Sequence, residues 1–193
     1  MRGALVLSLL FFTGAGLAVP GWAAPPPAKA PSPKITSEEQ LFAQLKQCGS
    51  AEDAHPIEAK LEAMFRVSGS PSVDLLMSRA NAALAAADNK TARKLIEAVT
   101  VIAPDYAEGW HSRASMEQSA GDDGAAMVSL QKVVLLNPRQ FTALGELADM
   151  LEDYGDKAGA LKLYRRALAL DPQLEEAGRK VRELTQSVEG RDI

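Results

Sequence analysis

Residues 137–172 read NPRQFTALGELADMLEDYGDKAGALKLYRRALALDP, and this stretch decides the fold. Asn137-Pro138 opens it and Asp171-Pro172 closes it, with the two prolines 34 residues apart. In the middle stands Gly155-Asp156, a chain break followed by a residue able to cap a second helix. Pro104 lies another 34 residues upstream of Pro138. A fixed period of this size marks a repeat protein.

Laid over one another, residues 73–106, 107–140 and 141–174 agree position by position. Position 4 holds Leu76, Trp110 and Leu144, position 8 holds Ala80, Ala114 and Ala148, and position 20 holds Ala92, Ala126 and Ala160. Ile96, Leu130 and Tyr164 share position 24, and Val99, Val133 and Ala167 share position 27. Small residues at 8 and 20 let two antiparallel helices approach closely, and the large apolar residues fill the seams around that contact. At positions 15 and 16 the copies read Ala87-Asp88, Gly121-Asp122 and Gly155-Asp156, each a break and a cap. Asn137-Pro138 and Asp171-Pro172 are expected to start the next first helix as cap and first helical residue, with Gln140 completing a capping box on Asn137.

This pattern resembles the tetratricopeptide repeat, a 34-residue helix–turn–helix unit with small residues at 8 and 20 and proline near its end. The resemblance implies an all-α superhelix of three consensus repeats. It departs at position 7, where Arg79 and Arg113 replace the usual Leu that Leu147 keeps, and at position 11, which reads Ala83, Glu117 and Leu151. Flanking helices complete the expected architecture. Residues 37–70 form a degenerate helical hairpin, with helices to about Gln47 and from about Pro56 to Val67, expected to stack on the first repeat and cap it. The array with its C-terminal capping helix runs over 71–188, and 189–193 is a tail.

Residues 1–23 read as a signal peptide: Arg2, an apolar run from Ala4 to Phe12, then Gly21 and Ala23 at a plausible cleavage site. The alternative is an uncleaved membrane anchor, since Gly3 to Val19 is apolar and at the bottom of the spanning range. Residues 24–36 form a Pro/Ala-rich linker, extended and without chemistry of its own.

The chain of 193 residues has 21 Lys+Arg against 25 Asp+Glu, a net charge of -4, and lacks the basic excess of a nucleic-acid binder. Two His and one Cys cannot build a His/Cys zinc site or an internal disulfide. Cys48 and His55 are separated by a loop, and no phosphate loop, H-E-x-x-H or G-x-S-x-G occurs. No catalytic residue, metal site or cofactor is predicted.

Tetratricopeptide arrays hold a peptide or helix against the concave face lined by their first helices, so the resemblance implies a protein or peptide partner. The inner positions give Asp74, Met77 and Asn81 in repeat 1, Glu108, His111 and Ser115 in repeat 2, and Asp149, Glu152 and Asp153 in repeat 3. This wall begins mildly apolar and becomes acidic, whereas Lys162, Arg165 and Arg166 are expected to face outward. The two-carboxylate clamp of the chaperone-binding subclass is not matched, because Met77 stands where its first Lys belongs and only Asn81 conforms. The expected function is therefore a non-enzymatic, exported (periplasmic) scaffold for a basic or amphipathic partner, an envelope assembly adaptor. The alternative is a membrane-anchored subunit of a secretion, envelope or respiratory assembly.

Overall fold

The computed structural model describes residues 37–190. The expected signal peptide, linker and most of the expected tail lie outside the described residues. Among the described residues nine helices follow one another: α1 (Ser37–Leu45), α2 (Ala51–Phe65), α3 (Pro71–Ala85), α4 (Asn89–Ile102), α5 (Ala107–Ser119), α6 (Asp123–Leu136), α7 (Phe141–Asp153), α8 (Lys157–Leu170) and α9 (Glu175–Glu189). Among the described residues there is no strand, and no helix is long and apolar enough to cross a membrane.

Helices α3–α4, α5–α6 and α7–α8 are the three repeats, in the expected register. The alanines at positions 8 and 20 are all at most 3% exposed. Around them Ile96, Leu130 and Tyr164, with Val99, Val133 and Ala167, are equally buried. Each turn inside a repeat is built alike. Ala87, Gly121 and Gly155 adopt left-handed backbone at φ of 57°, 76° and 87°, and the next residue donates its N–H back to Ala83, Glu117 or Leu151. Asp88, Asp122 and Asp156 then cap the second helix by accepting from the N–H of Thr91, Ala125 and Gly159 at 2.9–3.1 Å.

The turns between repeats differ from expectation. Asn137 and Asp171 end helices α6 and α8 rather than starting α7 and α9. Their side chains accept from Arg139 N–H and Gln173 N–H two residues on, forming Asx turns, while Pro138 and Pro172 prevent further helix. Gln140 does not close a capping box; its side chain points at α5.

The two departures from the repeat pattern in repeat 2 explain each other. Arg113 Nε donates to Glu117 Oε1 at 2.7 Å, and Ser129 Oγ donates to Glu117 Oε2 at 2.6 Å, so a buried carboxylate is fully hydrogen-bonded. Repeat 3 places Leu147 and Leu151 at the same two positions. At the C-terminal end α9 packs Ala177, Val181 and Leu184 onto the core of the last two repeats, and Arg165 ties it down through Glu189 and Thr185.

The N-terminal hairpin does not stack on the first repeat. Its buried Phe42, Leu45, Ala54 and Leu61 form one cluster with Phe141 at the start of α7 and with Leu170 and Leu174 at the α8–α9 turn. Helix α2 begins at Ala51, capped by Ser50, and carries Pro56 inside it. The physical reason is the side-chain size. The hairpin lacks the small-residue register that seats one repeat on the next, and its two phenylalanines need a broad apolar counterface, which Phe141, Leu170 and Leu174 supply.

Candidate functional site

The first helices α3, α5 and α7 present positions 2, 5, 6 and 9 to the concave side, and α2 lies across part of that side. At its far end, Ala51, His55 and Glu58 of α2 face Thr142, Gly145, Glu146 and Asp149 of α7 across a cleft of about 420 Å³. Further along, Glu62, Phe65 and Arg66 face Glu108, His111 and Glu146. A separate cleft of about 330 Å³ lies beyond the hairpin, between Leu84 of α3 and Ser112, Ser115, Met116 and Ser119 of α5.

His111 is the most constrained of the expected site residues. Its Nε2 lies 2.8 Å from Glu146 Oε2, and its Nδ1 lies 3.5 Å from Glu108 Oε2. Burial pushes its pKa down, but hydrogen bonds and charge from Glu108 and Glu146 more than offset that and hold it up at about 10. The imidazolium therefore bridges two helices of successive repeats. Its stabilisation is complete below the ordinary histidine value and is lost as pH rises through about 10.

Asp149 and Glu152 form a second group with Tyr164, whose hydroxyl donates to both carboxylates. Lys180 of α9 reaches Glu152 at 3.0 Å. Burial raises the Asp149 carboxyl, against the lowering effect of the Tyr164 hydroxyl. Asp74 accepts from Ser68 N–H and Ser68 Oγ at 3.0 and 2.6 Å, which hold its pKa down and fasten the α2–α3 turn. Met77 is buried against Val99 and Tyr106. Asn81 is exposed near Arg66, and Ser115 lines the smaller cleft. Asp153 is exposed and lines none of these clefts.

Several residues at the site escaped the sequence reading. Glu146 sits at position 6, one place after the expected inner position, and its partner His111 is at position 5 of the preceding repeat; pairing neighbouring repeats would have found it. Glu175 and Glu176 reach the larger cleft from α9, and Glu58 reaches it from α2. That cleft is lined by five carboxylates and one histidine, with no lysine or arginine. Among the described residues no three His, Cys, Asp or Glu side chains converge as a metal site.

The fold and the 34-residue repeat pattern are those of a tetratricopeptide-repeat superhelix. No family model matches the chain. It is 33% identical over 75 residues to a TPR repeat-containing protein of Rhizobium etli, a match spanning 39% of this chain and 37% of that protein. Among solved structures it is similar to the first TPR domain of Spaghetti (RPAP3) bound to the HSP90 peptide SRMEEVD. That match has a TM-score of 0.54 at 20% identity and covers 61% of this chain and 93% of that one. It is similar also to MamA, with a TM-score of 0.54 at 15% identity over 80% of this chain and 85% of that one.

Proposed function

We propose that this chain is a non-enzymatic, exported scaffold that binds a basic, amphipathic protein segment on its concave face. The observation that carries this reading is the α7–α9 cleft, where Glu146, Asp149, Glu175 and Glu176 meet with no lysine or arginine among the lining residues. The RPAP3 domain was solved with a peptide carrying three carboxylate side chains. Here the wall has the opposite charge requirement, because an acidic segment would face like charge and a segment bearing Lys or Arg would find partners. Individual exposed pairs contribute only about 0.2–1 kcal/mol, so apolar contacts must add to them.

Of the nine groove residues read from the sequence, Asp149 belongs to this acidic end, Glu152 beside it is paired with Lys180, and Ser115 lines the smaller cleft together with Arg93. Glu108 and His111 act by joining α5 to α7. Asp74 and Met77 are engaged in holding α3, and Asn81 and Asp153 stand at the margins. Export is supported by residues 1–23, and N-terminal sequencing of the exported protein would show a start near Ala24; an intact Met1 would favour the anchored alternative.

The test of the binding reading uses two fluorescein-labelled amphipathic peptides, identical except that one carries Lys and the other Glu on its polar face. Fluorescence anisotropy should show binding of the Lys peptide alone, weakening as salt rises. Changing Asp149, Glu175 and Glu176 together to Lys should abolish it. Equal binding of the two peptides, or a variant that binds as well as the parent, would overturn the assignment.

A further inference from the structure

The hairpin α1–α2 lies across the concave face instead of closing the end of the stack, and ring, ion-pair and hydrogen-bond contacts hold it there. The Phe42 ring meets Phe141 edge-on with centroids 6.5 Å apart, and the Arg139 guanidinium stacks 4.0 Å from the Phe42 centroid while pairing with Glu38 at 3.2 Å. At the α1–α2 turn Gln173 Nε2 donates to the Cys48 carbonyl at 2.6 Å. At the end of α2 the Tyr106 hydroxyl donates to the Arg66 carbonyl, also at 2.6 Å. These contacts favour docking. One feature opposes it: the Glu58 carboxyl lies near Asp171, which is fully buried and whose Oδ2 has no hydrogen-bond partner.

We propose that the α1–α2 hairpin is a detachable internal occupant of the groove, weakened at the Glu58–Asp171 contact, and that a basic amphipathic helix displaces it to reach Phe141, Leu170 and Leu174. The idea rests on the reading of the concave face as the binding surface. The hairpin is already an amphipathic helix pair seated on this apolar patch, so the patch accepts that shape. It carries the wrong charge for the site, however. A Lys or Arg at the place of Glu58 would pair with Asp171, where the hairpin itself offers a carboxyl.

Charge around Glu58 is nearly all of one sign. Its own helix contributes Glu62 and the α8–α9 turn contributes Asp171, with the Cys48 thiol, Asp53 and the His55 ring nearby. Across the cleft stand Glu146 and Asp149 of α7 and Glu175 and Glu176 of α9. Burial, then the hydrogen bond and charge of Asp171, then the charge of Glu62 raise the Glu58 carboxyl to about 7. Docking thus keeps a proton on Glu58 that the free hairpin gives up near the ordinary glutamate value. Between those two values docking weakens as pH rises, and above about 7 it levels off.

Hydrogen-exchange mass spectrometry on the full chain at pH 5 and pH 7.5, corrected for intrinsic rates, reads the opening directly. The hairpin segments should open on the order of tenfold more at the higher pH, allowing for solvent screening of Glu58, while α5–α8 stay equally protected. Glu58→Gln keeps a donor for Asp171 and removes the charge, so its hairpin should stay closed at both pH values. A hairpin that exchanges only in step with α7 and α8, or a Glu58→Gln chain that keeps the whole pH effect, would overturn the proposal. These readings involve no partner, so they test the cover independently of the binding assignment. Adding the Lys peptide should raise hairpin exchange further; binding with hairpin exchange unchanged would overturn displacement and leave the binding reading standing.

Discussion

In the three repeats, helices meet through buried alanines at positions 8 and 20, and each helix rests on its neighbours in the chain. In the N-terminal hairpin, Phe42 and Phe65 fill the space between helices, and the docking contacts reach far along the sequence, from Glu38 to Arg139 and from Cys48 to Gln173. The difference separates two kinds of stability. A repeat cannot leave without exposing the alanine seams of its neighbours, whereas the hairpin can leave by uncovering one apolar patch and breaking a handful of polar contacts. Repeat stability is thus collective, and hairpin stability is local.

The largest expected effect sharpens that contrast. Phe42→Ala removes the ring that Phe65, Phe141 and Arg139 all touch, a loss of about 3–5 kcal/mol for a buried Phe. It should appear as lost hydrogen-exchange protection in α1 and α2, with the thermal transition of the repeats nearly unchanged. A repeat transition that falls with the hairpin would merge the two regions into one cooperative unit.

A somewhat smaller effect is expected inside repeat 2. Arg113→Leu leaves the buried Glu117 with only Ser129 as partner, costing about 2–3 kcal/mol. The loss should lower the midpoint of the whole array in a urea titration, in contrast to the local effect at Phe42. Adding Glu117→Leu recreates the apolar pair of repeat 3 and should recover most of the stability, as replacing a buried ion pair often does. No recovery in the double variant would mean that the polar pair serves a purpose other than filling the seam.

The smallest effect concerns Ala87, which adopts φ of 57° where the other two repeats use glycine. Ala87→Gly should relieve left-handed strain and raise stability by about 1 kcal/mol, read as a higher thermal midpoint.

The repeats were legible in the sequence because their packing is periodic. Alanine at positions 8 and 20 and the break-and-cap at 15 and 16 recur every 34 residues, and each recurrence is a local constraint visible in one copy. The inter-repeat turns were misassigned because Asn-Pro and Asp-Pro suit either a helix start or an Asx turn after a helix end. The choice depends on how the next first helix is seated on the stack. The position of the hairpin was not legible, since Phe42 meeting Phe141 is a tertiary contact with no periodic signature. The site was half legible. His111 and Asp149 follow from the inner positions that the repeat resemblance implies, but Glu175 and Glu176 enter from the capping helix, outside any repeat numbering, and Glu58 enters with the hairpin.

The measurement that bears most directly on the covered groove uses the single native thiol. Cys48 stands at the hairpin turn, its carbonyl bonded to Gln173. A second cysteine is introduced in two separate chains, as Gln173→Cys at the α8–α9 turn or as Leu75→Cys on exposed α3, and each is treated with a short bismaleimide at low protein concentration. With the hairpin lying across the concave face, the Gln173→Cys chain should form an intramolecular crosslink to Cys48, mapped by peptide mass spectrometry, and the Leu75→Cys chain should not. A crosslink from Cys48 to position 75, with none to position 173, would place the hairpin on the first repeat and contradict the account.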